Sequence, residues 1–477
     1  MRVPRRSRDR VVRRPRLGET QPFVVKDVQR RKSPFSVFLG RPPLLLLFAL
    51  FAFDTIGTAL LMLPVSTASG HAAPFLTAFF TATSGLTTTG LTVETTATYW
   101  SFFGQMVILV LMFVGGLGFM AAVTFLLILV RNQFRLPEQV AVHDSLGLPG
   151  LGGLGSLMLH IMVLDLVVTA IGIVPLSWRF HDFLPWSSAL WQGLFTSVSA
   201  FNTAGFDIAG PTSLTPYYRD PYILGTTTAV ACVGALGYSV TLELLGRKRW
   251  NRLSLNTRLV VIVSVASWVL GSLALFLYER SNPQTLGTMS TPLAVMNASF
   301  NGISGSTTTG FSTIDFARVA PPMLLITTIF MFVGGAAGST AGGTKVNTLS
   351  VLLVVAISSL KGRSRAQVFM REVPHYQVLQ AVTVWLVATF LVGLSLLLLM
   401  AERAGIPMVQ IFFEVVSAFG TVGLSTGVLG NLPAGGLYAM IMLMLVGRVG
   451  VLTLILAMTV RSKAALYKPA AEEIAIG

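Results

Sequence analysis

"SAFGTVGLST", residues 417–426, interrupts two strongly apolar stretches near the carboxyl end of the chain. Glycine and small hydroxylated residues at that density make a poor membrane helix and a poor soluble core. The interruption occurs four times. "FTATSGLTTTGL" ends at Gly90 and Leu91, "FTSVSAFNTAGF" at Gly205 and Phe206, "NGISGSTTTGF" at Gly310 and Phe311, and "EVVSAFGTVGL" at Gly423 and Leu424. Thr-x-Gly-(Leu/Phe) thus recurs at separations of 115, 105 and 113 residues. A second motif keeps step: "VGGLG" at 114–118, "VGALG" at 233–237, "VGGAAG" at 333–338 and "VGRVG" at 446–450. Its first glycine follows the Thr-x-Gly glycine by 25, 29, 24 and 24 residues. Two motifs in phase through four copies mark an internal repeat.

Composition says where such a chain resides. Its 477 residues are 53% hydrophobic and only 11% charged, against about 25% charged in soluble domains. Runs of about 20 apolar residues can cross a bilayer, and 43–65 and 376–400 are clear examples. Hydrophobicity places long spans near 43–65, 102–130, 155–177, 221–245, 258–278, 321–360 (interrupted), 376–400 and 433–460. Segments of about a dozen apolar residues lie between alternate pairs, near 73–84, 187–200, 291–304 and 408–418. They are too short to span about 30 Å of hydrocarbon and read as re-entrant half-helices. The expected fold is an all-α polytopic membrane protein of eight full spans. It is built from four pseudo-symmetric helix–pore-helix–helix repeats around one pore: 43–130, 155–245, 258–360 and 376–460. The single cysteine, Cys232, excludes an internal disulfide and a cysteine-based metal site.

Residues 1–42 are arginine-rich and hold 13 Lys and Arg against Asp9, Glu19 and Asp27, ten of the fifteen net positive charges. This reads as a disordered cytoplasmic tail touching anionic lipid, not a signal peptide, and no aromatic interleaving or fold supports nucleic-acid binding. With the amino terminus inside, the tails (1–42 and 461–477) and the inter-repeat loops carry 27 of the 34 Lys and Arg. Arg179, Arg219, Arg280, Arg318 and Arg403 face outward, and Lys345 and Arg448 lie within spans. That asymmetry puts both termini in the cytoplasm and all four Thr-x-Gly turns toward the outside.

Non-helical backbone at membrane depth persists only where protein buries it or water lines it. Glycine admits backbone conformations closed to other residues, so four such turns can present rings of carbonyl oxygens to a monovalent cation. The half-helix before each turn adds its negative carboxyl end. No carboxylate lies within any triplet. Glu94, Asp207 and Asp315 follow just outside; they read first as solvated loop charges, and second as groups that concentrate cations.

"FTATSGLTTTGL", "SAFNTAGF", "EVVSAFGTVGLSTG" and "MFVGGAAGSTAGGTK" resemble segments of the Trk, Ktr and HKT cation transporter superfamily. Within it they look like the KtrB membrane subunit of bacterial Ktr potassium uptake systems. The likeness runs over about 43–460. It implies a potassium selectivity filter at Thr88, Thr89, Gly90, Thr203, Ala204, Gly205, Thr308, Thr309, Gly310, Thr421, Val422 and Gly423. Glycine at 90 implies potassium, serine there being the sodium pattern; a sodium-selective or sodium-coupled transporter of the same fold is the alternative. The resemblance also implies the inner (plasma) membrane, a homodimer, and a separate, KtrA-like cytosolic ring that binds nucleotides. K+ would be the transported ion and Na+ an activator, with no cofactor in this chain.

"GGAAGSTAGGTK", 334–345, sits inside the sixth span. Glycines this dense cost about 1 kcal/mol each in a helix, so the span should break. Close packing of a helix through Gly334, Gly338 and Gly342 is the other reading. The resemblance implies an intramembrane gate loop of Gly334, Gly335, Gly338, Ser339, Thr340, Gly342, Gly343 and Lys345. Arg448, costly in lipid, should face the bundle interior and, by the resemblance, contact that loop. The alternative is a satisfied structural charge. Asp54 and Asp165 read first as hydrogen-bond acceptors for helix breaks or neighbouring spans, and second as ligands of the transported ion. The formal GxGxxG of Gly150, Gly152 and Gly155 has no strand before it. The five histidines lack metal-ligand spacing, and no nucleophile–base pair argues for an enzyme.

Overall fold

The computed structural model describes residues 42–117, 154–210, 212–246, 249–363, 365–402 and 405–450. The basic segment 1–41, the far parts of the spans expected at 102–130 and 433–460, and the tail 461–477 lie outside them. Among the described residues the only sheet is a hairpin pairing Gln367–Val368 with Arg371–Glu372.

A helix, a shorter helix and a further helix follow one another four times. The first set is α1 (Pro42–Leu61), α2 (Phe75–Leu86) and α3 (Phe102–Gly116). The second is α4 (Leu154–His181), α5 (Trp186–Phe201) and α6 (Pro221–Leu236), continued by α7 (Tyr238–Gly246). The third is α8 (Leu255–Glu279), α9 (Thr291–Ser306) and α10 (Pro321–Phe332), continued by α11 (Val346–Leu360). The fourth is α12 (His375–Glu402), α13 (Met408–Gly420) and α14 (Ala434–Val449).

The short helices α2, α5, α9 and α13 have 12, 16, 16 and 13 residues. At 1.5 Å per residue they reach roughly 18–24 Å, less than a hydrocarbon core. Each opens at a proline: Pro74, Pro185 and Pro407 cap three of them, and Pro292 lies in the first turn of the fourth. Proline has no N–H, and the first turn has no helical acceptor for one, so the helix starts there without loss.

Leu159–His181, α8 and α12 are long and apolar enough to cross a bilayer, and α6 with α7 would be a fourth span. They carry large apolar side chains outward, Val174 being 69%, Leu277 64% and Leu397 67% exposed. In water such surfaces would be a liability; against lipid tails they cost nothing. The short helices bury their carboxyl-terminal parts in one continuous apolar core, while first-turn residues such as Phe75 and Met408 stay exposed.

One expected straight run is bent, and the run expected to be interrupted is interrupted. The span read at 221–245 bends by 101° between α6 and α7. Gly237 stands at φ +83°, where only glycine rests without strain, and the N–H of Tyr238 donates to Gly338 O at 3.1 Å. The span at 321–360 breaks between α10 and α11, and residues 333–345 are non-helical. A parallel bridge between Val333 and Thr344 pins the ends of that loop together. Helix packing through Gly334, Gly338 and Gly342 therefore does not apply.

Candidate functional site

The four short helices end alike. Thr88 N donates to Gly85 O (3.1 Å) and Thr89 N to Ser84 O (2.8 Å), the paired bonds of a Schellman motif. Thr203 and Ala204 bond in the same way to Ala200 and Ser199, Thr308 and Thr309 to Gly305 and Ser304, and Thr421 and Val422 to Ala418 and Ser417. The left-handed residue of such a motif is usually glycine. Here it is threonine each time, at φ +51°, +48°, +55° and +48° for Thr88, Thr203, Thr308 and Thr421. A β-branched residue in that region costs about 1–3 kcal/mol and persists where surrounding structure imposes it.

Two residues on, Gly90, Gly205, Gly310 and Gly423 are also left-handed, at +83°, +68°, +84° and +93°, while the residue between is not. Alternating hands along an extended segment turn successive carbonyls to one side.

The turns also meet one another. A methyl group on Gly90 would lie 2.2 Å from Ala204 O, one on Gly205 2.6 Å from Thr309 O, one on Gly310 2.1 Å from Val422 O, and one on Gly423 2.3 Å from Thr89 O. Each glycine faces the carbonyl preceding the next repeat's glycine, and the fourth returns to the first. All twelve residues named for the filter lie in this closed ring.

Behind it, Thr87 and Thr89 share a hydroxyl hydrogen bond of 2.7 Å, as do Thr307 and Thr309. The hydroxyls of Thr88, Thr308 and Thr421 are buried with no hydrogen-bond partner among the described residues. On one side of the ring a cavity of about 290 Å³ touches Gly90, Gly205, Gly310 and Gly423 and is bordered by Asp207 and Asp315. Asp207 accepts from Ala209 N at 3.2 Å, and burial raises its carboxyl to about 7. Glu94 is exposed and does not border this cavity.

Against the ring's threonines lies the loop 333–345. Thr340 hydrogen-bonds Phe201 O (2.9 Å), and its hydroxyl is 3.5 Å from that of Thr203. A methyl on Gly342 would meet Thr421 Oγ1 at 2.0 Å, and one on Gly334 would meet Thr308 Cγ2 at 3.4 Å. The loop is fastened by Gly334 N to Thr344 O (2.8 Å), Ala336 N to Ala235 O (2.9 Å) and Val346 N to Gly335 O (3.0 Å). Gly338 and Gly343 supply left-handed turns. Ser339 Oγ is buried without a partner among the described residues, and Lys345 donates to Ala341 O. Arg448 donates to Thr340 O through one guanidinium nitrogen and to Gly115 O through another. One side chain thus ties α14 to the loop and to α3.

The "VG" echo has a local cause. Methyl groups on Gly115, Gly234 and Gly447 would lie 1.9, 2.0 and 1.9 Å from the carbonyl oxygens of Leu86, Phe201 and Phe419. Each carbonyl is four residues before a Thr-x-Gly glycine, so the following helix grazes the end of its own short helix. In the third repeat a methyl on Gly334 would instead lie 2.0 Å from Gly342 O, inside the loop. Asp54 accepts from Thr83 Oγ1 (2.9 Å) on the neighbouring α2, the acceptor role read for it, whereas Asp165 accepts from Thr169 Oγ1 (3.2 Å), four residues on in its own helix, and not from a helix break or a neighbouring span.

Residue reading passed over two further positions. Phe80, Phe195, Phe300 and Phe413 stand ten residues before the four glycines, and Ser84, Ser199, Ser304 and Ser417 six before. All eight are buried. The signal was present once the four copies were aligned on glycine: the same residue recurs at each position.

The comparisons show the family and the fold. A family model described as "Cation transport protein" (TrkH) matches residues 48–467. Ktr system potassium uptake protein B of Bacillus subtilis is 34% identical over 415 residues, 87% of this chain and 92% of its own. The potassium/sodium uptake protein NtpJ of Enterococcus hirae is 34% identical over 461 residues, 95% and 99%. A crystal structure of the potassium transporter TrkH from Vibrio parahaemolyticus superposes with a TM-score of 0.69 at 21% identity, covering 90% of this chain and 86% of that one, a likeness of fold. The chain belongs to the TrkH family of cation transport proteins, in the Trk/Ktr superfamily, and is a multi-pass membrane protein.

Proposed function

We propose that this chain takes up potassium across the inner (plasma) membrane through one pathway between four pseudo-symmetric repeats. Eight spans would carry both termini on the cytoplasmic side. The single observation that carries this reading is the closed ring of Thr-x-Gly turns. Carbonyls of residues 88–90, 203–205, 308–310 and 421–423 would replace the hydration shell of K+. The unpartnered threonine hydroxyls at 88, 308 and 421 supply further oxygen at the inner edge. About half an elementary negative charge at the carboxyl end of each short helix favours a cation there.

The loop 333–345 would block the passage below the ring, latched by Arg448. A charge at mid-membrane costs about 3 kcal/mol, which its two carbonyl acceptors offset. Opening would require those bonds to part. A homodimer on a separate nucleotide-binding cytosolic ring, an activating role for Na+, and anionic lipid at the basic tail complete the proposal.

Flux into liposomes is the test. Purified wild type, supplied with the cytosolic ring where it needs one, should pass K+ in preference to Na+. Gly423→Ser should abolish that preference without loss of folded protein. Equal K+ and Na+ flux through wild type would favour the reading suggested by the name of NtpJ. Flux unchanged in Gly423→Ser would refute the filter assignment.

A further inference from the structure

Behind the fourth turn lies a buried acid that the ion pathway does not need. Glu414, on α13, is 1% exposed, and no salt bridge involves it among the described residues. Three donors converge on its Oε1: Thr426 N at 2.7 Å, Ser425 Oγ at 2.8 Å and Thr426 Oγ1 at 2.9 Å. Both partners belong to the segment that leaves the filter, two and three residues after Gly423. Ser417, one turn further along α13, accepts from Gly423 N at 3.2 Å. The short helix therefore grips the filter strand at Gly423 and just beyond it.

The pseudo-symmetric positions do this differently. Nine residues before each filter glycine stand Thr81, Thr196, Asn301 and Glu414; three residues after stand Val93, Ile208, Thr313 and Thr426. In the third repeat Asn301 donates to Thr313 Oγ1 (2.7 Å) and accepts from Thr313 N (3.0 Å), a polar brace of the same shape. In the first and second repeats the threonine hydroxyls find no partner among the described residues, and the later position is aliphatic. Between these two positions, among the described residues, two of the strands are hydrogen-bonded to their short helix and two are not. A buried acid is an expensive residue to keep in an apolar core unless its contacts compensate.

We infer that Glu414 is a positioning residue for the fourth filter strand, holding residues 424–426 so that the carbonyls of Thr421 and Val422 keep the spacing that prefers K+ over Na+. This rests on the filter reading above. The brace needs an acceptor at Oε1 and not a negative charge, so Glu414→Gln should behave as wild type. Glu414→Thr removes the acceptor and leaves Thr426 N–H and two hydroxyls unanswered in a buried setting. The double variant Glu414→Thr with Thr426→Ile installs the pair found in the second repeat.

The experiment measures the K+/Na+ flux ratio in proteoliposomes, with monodispersity in detergent as the check on folding. Wild type and Gly423→Ser are run beside these variants. Glu414→Thr should lower the ratio about tenfold or more, as expected when buried donors lose an acceptor; Glu414→Gln should hold it and the double variant should recover most of it. A wild-type ratio in Glu414→Thr would overturn the inference while leaving the filter reading intact. So would a loss in Glu414→Gln equal to that in Glu414→Thr, since that assigns the effect to charge. If Glu414→Thr does not fold, the Gln and double variants still decide: a lowered ratio in either contradicts the brace. A wild type that conducts but is indifferent to Gly423→Ser would instead sink the filter reading itself.

Discussion

Single methyl groups decide much of this molecule. Gly447 touches Phe419 O so closely that a methyl there would sit 1.9 Å from it, whereas nothing lies within 4 Å of a methyl on Gly393. Gly447→Ala should therefore destabilise by about 1–3 kcal/mol through overpacking, and Gly393→Ala, in mid-helix, should stabilise by about 0.5–1 kcal/mol. Thermal unfolding in one detergent compares them; equal shifts would contradict the packing assigned to the echo motif. Asp207 offers a second residue-scale test. Burial holds its carboxyl near 7, so it is neutral below that pH and charged above it. Uptake at low external K+ should rise as external pH climbs through about 7 and lose that rise in Asp207→Asn. The glycines of the four Thr-x-Gly turns were legible because their spacing repeats. The strained Thr88, Thr203, Thr308 and Thr421 were legible as motif members but not as left-handed residues, since nothing in a threonine announces a positive φ.

At the scale of elements, the decisive contact is between Arg448, the loop and α3. Arg448→Ala removes both carbonyl bonds and frees the loop on one side, so basal K+ leak should increase severalfold while the K+/Na+ preference persists. Stopped-flow flux in the absence of any activator reads this, and an unchanged leak would return Arg448 to a structural role. Glycine density announced the break at 333–345 in the sequence. The 101° bend at Gly237 was not announced: "VGALG" looks no more broken than "VGGLG", and the bend depends on Gly338 arriving from another repeat to take the Tyr238 N–H. The brace at Glu414 was hidden for a similar reason, because its partners lie eleven and twelve residues on, across a turn whose geometry is not local.

The whole molecule depends on closure. Sequence spacing counts four repeats, but it cannot say that the turn of the first meets the second, or that the fourth meets the first. That order comes from four junctions at which a methyl added to the glycine would lie only 2.1–2.6 Å from a carbonyl of another repeat, three of them between residues about a hundred positions apart and the fourth, Gly423 with Thr89, between the two ends of the repeat series. A ring closed this way has a shared centre, and the account places a dehydrated monovalent cation there. Anomalous diffraction from crystals grown in Rb+ in place of K+ tests this most directly. Rb+ density is expected at the centre of the ring, within coordination distance of carbonyls from all four turns, and should be lost in Gly423→Ser. A well-ordered ring with no density at its centre would contradict it.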